Sequence, residues 1–189
     1  MPVLVHFDNS DQWISQLRAL GIVGLKDPSG LFLSSERSQV PGTCATVTLE
    51  GRRPVPVEVQ ALVAPTAAAS PRRTTSGVDH SRVAMSLAVL AARLRLDTSN
   101  ADVYVSTVGG ARAVEPATDL AVAIAVAGAA RNLPAPPGLV AFGEVGLTGE
   151  VRATIRIQRR LAEVQRIGLA ARLGGALMDV NRLFPKCPA

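Results

Sequence analysis

Lysine is nearly absent from this chain: Lys26 and Lys186 stand against eighteen arginines in 189 residues. Cysteine is just as scarce. Cys44 and Cys187 are too few for a disulfide framework or for a zinc site with paired spacing, and they fit a reducing, cytoplasmic setting. Aromatic residues make up 3% of the sequence, so the core must be aliphatic, and no aromatic series is available to stack on bases. Long hydrophobic runs are missing too. The longest, Leu120 to Ala130, falls well short of the roughly 20 residues a membrane span needs, so no membrane partner is expected. The opening MPVLVHFDNSDQW lacks the basic stretch and apolar run of a secretory signal. No GxxxxGK[ST] string is present to cradle phosphates, and no cofactor is implied.

What the sequence does have is aliphatic bulk and arginine. Hydrophobic residues make up 48% of the chain, enough for one domain with a real core. The formal charge is +5, carried by guanidinium groups that bind phosphate or carboxylate through two parallel hydrogen bonds.

Read in order, residues 1–24 form a separate segment with a short amphipathic helix, Trp13, Ile14, Leu17 and Leu20 on one face and Asp11 as its cap. Asp27 to Gly30 is a turn, and LFLS after it is a short apolar piece. Residues 43–63 alternate strictly on either side of Gly51-Arg52-Arg53, which predicts a β-hairpin with one wet face, Pro56 pushing its second strand to an edge. A Pro, Ala, Ser and Thr loop is expected over 64–77, carrying Arg72 and Arg73. The core then runs over 79–178. Asp79 caps a helix with Val83, Leu87, Leu90 and Leu94 on one stripe, and Ala101 to Ser106 is a strand. Glu115-Pro116 starts a helix whose only charge up to Ala130 is Asp119, so it should run through the middle of the domain. LVAFG is the next strand. A last helix, about Arg156 to Leu169, carries Ile157, Leu161 and Val164 on one side and Arg156, Arg159, Arg160, Glu163 and Arg166 on the other. ALMDV is strand-like, and 179–189 is an irregular tail.

Few residues invite chemistry. Asp79-His80-Ser81 has triad residue types, but neighbours at a helix start cannot form the relay, and capping is the simpler role for Asp79. Gly143, Gly146 and Gly149 read as tight turns, and Glu144 and Glu150 have no partner acid or histidine. The arginines Arg152, Arg156, Arg159, Arg160 and Arg166, with Arg72 and Arg73, are the candidate DNA contacts, giving salt-sensitive, sequence-independent affinity. Pairing with acidic groups of a neighbouring subunit and plain solvated charge remain the other readings.

The strings DPSGLFLS (27–34), EGRRPVPVEVQALV (50–63), STVGGARAVEPATDLAVAIA (106–125) and FGEVGLTGEVR (142–152), with the helix from Asp79, carry a resemblance. They resemble the proteolytic domain of Lon proteases, and more closely the Lon-like C-terminal domain of the RadA (Sms) family of bacterial DNA-repair proteins. The similarity spans about residues 25–178 and implies an α/β fold of Lon-proteolytic type, a mixed sheet with packed helices. In Lon enzymes a serine in a Gly-Pro-Ser-Ala-Gly setting is activated by a lysine on a later helix. The matching positions here are Ala117 and Gln158. A methyl group cannot attack a carbonyl and an amide cannot take the proton, so the resemblance implies a domain without peptidase activity. RadA proteins join a zinc finger and a RecA-like ATPase to this domain, form hexameric rings and process recombination intermediates. The sequence has no CxxC pair, no Walker loop and no KNRFG string, so the expected role is that of the Lon-like part alone: a ring-forming homo-oligomer that contacts single-stranded or branched DNA. A serine peptidase with displaced catalytic residues and a module binding only protein are the competing expectations.

Overall fold

The structure, a computed structural model, describes residues 33, 40–168, 170–173 and 175–176. The expected helix around Trp13, the Asp27 turn, most of LFLS, the run beyond Ala176 and the tail lie outside the described residues.

Strict alternation from Thr43 produces β1 (Thr43–Glu50), and Gly51, at φ 61°, turns the chain into β2 (Arg53–Pro65). Then come β3 (Arg73–Ser76), α1 (His80–Leu94) and β4 (Ala101–Thr107). A 3-10 turn (Pro116–Thr118) runs directly into α2 (Asp119–Arg131), which is followed by β5 (Leu139–Phe142) and a small hairpin of β6 (Glu144–Val145) and β7 (Glu150–Arg152). Finally come α3 (Ile157–Arg166), β8 (Ala170–Leu173) and β9 (Gly175–Ala176). The main sheet has the order β3-β4-β2-β1-β5-β8, and the small one β6-β7-β9. Its β1–β2 and β2–β4 ladders are antiparallel, while β3–β4, β1–β5 and β5–β8 are parallel. This is the mixed α/β architecture the sequence predicts.

Two apolar layers cover the sheet. The register pairs Cys44, Thr46 and Thr48 with Val59, Val57 and Val55, which puts all six on one face. On that face α1 and α2 pack, adding Val83, Leu87, Leu90 and nearly all of α2 to the large cluster. The other face carries Ala45 and Val47 with Val140 and Phe142, and α3 closes it with Ile157, Leu161 and Val164. Adjacent residues of β5 thus serve opposite layers.

Three expectations need correction. The hairpin's expected wet face is buried over most of its length: Thr46 is 0% and Thr48 3% exposed and Pro56 is buried, while Gln60 at the far end stays exposed. The apolar faces read from the two strands separately turn out to be opposite faces in the real register, and each has its own helical cover. Second, β2 is an interior strand between β1 and β4. Pro56 is tolerated there because β4 pairs only with Val59 to Pro65, leaving the Pro56 end with β1 as its ladder partner. Third, the stretch 64–77 is a loop only in its middle, since β3 within it pairs in parallel with β4. Leaving β3, Gly77 takes φ 76°, and a Cβ there would run into Thr107 Oγ1 and lie 2.6 Å from the Ala111 carbonyl. Only glycine fits that bend. Two expectations hold: Asp79 caps α1 by accepting from the Arg82 N–H at 2.9 Å and from Ser81 Oγ at 2.5 Å, and α2 is buried along most of its length; the last helix is shorter than expected, ending at Arg166.

Candidate nucleic-acid interface

The spacing of side chains on α3 decides what its arginines can do. Ile157, Leu161 and Val164 form the stripe packed on the sheet, and Arg160, three residues after Ile157 and four before Val164, falls on that same stripe. Arg160 is accordingly 0% exposed. Its Nη1 donates to the Val47 carbonyl and, at 2.9 Å, to Glu115 Oε1; its Nη2 donates to Glu115 Oε2 at 2.7 Å. Glu115 Oε1 also accepts from Thr48 Oγ1 and from the Leu49 N–H, both at 2.9 Å. Burial works against the charge on Glu115, but the hydrogen bonds from Arg160 and Thr48, the Arg160 charge and the Leu49 amide outweigh it and hold the carboxyl below its usual range. The expectation that Arg160 sits on the solvent face of the helix and meets DNA is therefore corrected. It is a core residue.

Arg156 and Arg159 behave differently. Arg156 precedes α3 in a left-handed conformation at φ 53°, and both side chains are exposed. Arg156 Nη1 donates to the Gly51 carbonyl at 2.7 Å, and Arg159 Nη1 to the Arg52 carbonyl at 3.0 Å. Each guanidinium has five N–H groups, so one carbonyl contact leaves most donors available for phosphate oxygens. These contacts bring the start of α3 against the β1–β2 turn, whose Arg52 and Arg53 are exposed as well. Four arginines separated by about a hundred residues in sequence thus share one corner of the molecule. The sequence reading counted Arg52 and Arg53 only as turn residues. Their signal was a pair of adjacent cations at the tip of a hairpin, and nothing local could say that α3 would dock beside them.

The other candidates do not join this corner through any contact shown. Arg152 is paired with Glu150, and Arg166 with Glu163 at 2.7 Å. Arg73 donates to the carbonyls of Ala101 at 2.6 Å and Thr98 at 2.8 Å, stapling the turn before β4, and its neighbour Arg72 is exposed.

The two positions matched to a catalytic dyad are not presented together to solvent: Ala117 is 2% exposed inside the smaller cluster, whereas Gln158 is exposed. A shallow pocket between the starts of α1 and α2 is walled by Asp79, Arg82, Glu115, Thr118 and Asp119, without Ala117. Asp119, the one acidic residue of α2, is held there by Arg82 Nε at 2.8 Å and Nη2 at 2.6 Å and by the Val145 N–H at 3.1 Å. Burial pushes the Asp119 carboxyl up, while the hydrogen bond to Asp119 pushes Arg82 up as well. These directions pull the pair differently, and the fork geometry decides: both oxygens are gripped by a group that keeps its proton, so the pair is ionised at neutral pH. Glu144, 3.6 Å from Arg82, adds to the same network.

No family model matches the chain. Curated relatives do. It is 50% identical over 153 residues to the DNA repair protein RadA of Mycolicibacterium smegmatis, covering 81% of this chain and 33% of that protein. This chain is related to RadA. RadA of Bacillus subtilis is 40% identical over 159 residues, 84% of this chain and 35% of the relative. RadA of Streptococcus pyogenes is 41% identical over 155 residues, 82% and 34% of the two chains. The chain spans about a third of the length of the RadA proteins it matches. Among the described residues no helix is long and apolar enough to cross a membrane.

Proposed function

We propose that this RadA-related chain is a Lon-like, non-catalytic domain that acts in DNA repair by holding the phosphate backbone and by assembling with copies of itself. The observation that carries the reading is the arginine corner, where Arg156 and Arg159 are fixed on the carbonyls of the turn that bears Arg52 and Arg53. Fixed guanidinium groups lose less side-chain freedom when they meet a phosphate, and they grip it with two hydrogen bonds. The name of the relatives, DNA repair protein, supports the same class of partner. Ala117 and Gln158 supply neither nucleophile nor base, which supports a binding role over hydrolysis.

The test is binding of fluorescent single-stranded and duplex DNA across a salt series, with the oligomeric mass of each sample recorded. Contact with about four phosphates gives a log–log salt slope of roughly −3 to −4. Changing Arg52, Arg53, Arg156 and Arg159 together to Ala should abolish most of that slope while leaving mass and fold unchanged. Equal binding by the fourfold variant would remove the reading.

A further inference from the structure

We infer that Arg160, acting through Glu115, is the positioning residue that sets the spacing of the exposed arginines, so that the corner binds as one unit. Three contacts of one buried guanidinium carry this. Arg160 reaches the Val47 carbonyl in β1, the Glu115 carboxylate before α2 and, at 3.4 Å from Nε, the Ile155 carbonyl, one residue before Arg156. Glu115 in turn holds the Leu49 N–H, two residues before Gly51. Both halves of the corner therefore hang from a single ion pair, the hairpin turn through Val47 and Leu49 and the start of α3 through Ile155 and Arg160 itself.

A buried ion pair is a poor way to gain stability, because desolvation cancels most of the attraction and an apolar replacement of both partners is often neutral or better. Its value here is geometric. The guanidinium fixes direction as well as distance: two donors meet one carboxylate, and another reaches a strand carbonyl. An apolar contact between α3 and β1 permits sliding, whereas this one sets the register. Arg156 leads into the helix from a left-handed conformation without a side-chain cap, and its carbonyl accepts from the Arg159 and Arg160 N–H groups at 3.0 and 3.4 Å, so the placement of Arg160 passes directly to its backbone.

The inference rests on the DNA-contact reading, and the experiment separates the two. The wild type, the fourfold surface variant and an Arg160→Met/Glu115→Leu variant are titrated with the same fluorescent oligonucleotide across the salt series, with thermal melts alongside. The double variant keeps all four exposed arginines and exchanges the buried pair for apolar groups. It should melt near the wild type, bind about tenfold more weakly near 100 mM salt and show a slope shallower by about one to two, because fewer phosphates are met at once. Wild-type affinity and slope in the folded double variant would overturn the inference. Glu115→Gln is the second variant, retaining shape and an acceptor, and should weaken binding severalfold with a shallower slope. A lowered melting temperature with an unchanged slope in either variant marks the pair as merely structural and also defeats the inference. Loss of all difference between the wild type and the fourfold surface variant defeats the DNA reading instead.

Discussion

Single residues in this protein are constrained by what surrounds them, and three can be tested directly. Gly77→Ala must place a side chain at φ 76° against Thr107 and the Ala111 carbonyl, so stability in urea should fall by about 2 kcal/mol or more; a change below about 0.5 kcal/mol would show that the bend relaxes freely. Burial pushes the Cys44 thiol up to about 12. At pH 8 it should stay unalkylated in the native protein and react only after denaturation, as peptide mapping by mass spectrometry can show. Glu115, with its carboxyl held below the usual range, contributes stability that is present above its unfolded pKa and is lost as pH falls through the folded value. Removing only Arg160, as Arg160→Met, leaves that carboxylate half-buried without its main partner; urea melts should then show a loss of about 3–5 kcal/mol near neutrality. That loss should shrink as Glu115 protonates towards acid pH, and a pH-independent difference would reject the assignment.

At the scale of elements, α3 shows how much a helix pattern can tell and where it misleads. The stripe of Ile157, Leu161 and Val164 was legible from its spacing, and so in principle was Arg160, which occupies the same face. Residue type hid it, because an arginine beside other arginines reads as surface. The hairpin over 43–63 was legible too, from alternation and the Gly51 turn. What alternation could not provide was the partner of each face: whether Thr46 meets water or α2 depends on a helix formed more than seventy residues later. The smaller cluster under α3 should behave as a true core layer. Phe142→Ala, at 1% exposure, is expected to cost about 3–5 kcal/mol in chemical denaturation, and a cost under about 1 kcal/mol would mean that α3 rests only loosely on the sheet.

For the whole molecule, the arrangement argues that restoring two residue types cannot restore a peptidase. Ala117→Ser with Gln158→Lys would put a hydroxyl inside the small cluster and an ammonium on the surface. No labelling of position 117 by a fluorophosphonate probe and no peptide hydrolysis are expected, and covalent labelling there would show that the fold still presents this position to substrate. The sequence by itself determined the aliphatic core, the two-period hairpin, the capped α1, the apolar α2 and the absence of a nucleophile at position 117, because each depends on residue type and local period alone. Only the tertiary structure decided that Thr46 and Thr48 are buried under α1 and α2 while Val47 faces α3, that Asp119 has Arg82, that Arg160 is sealed against Glu115, and that Arg52 and Arg53 lie beside Arg156 and Arg159. Those facts depend on strand register and on which helix lands on which face, and these are fixed by burying apolar surface across the whole chain rather than within any one stretch of it.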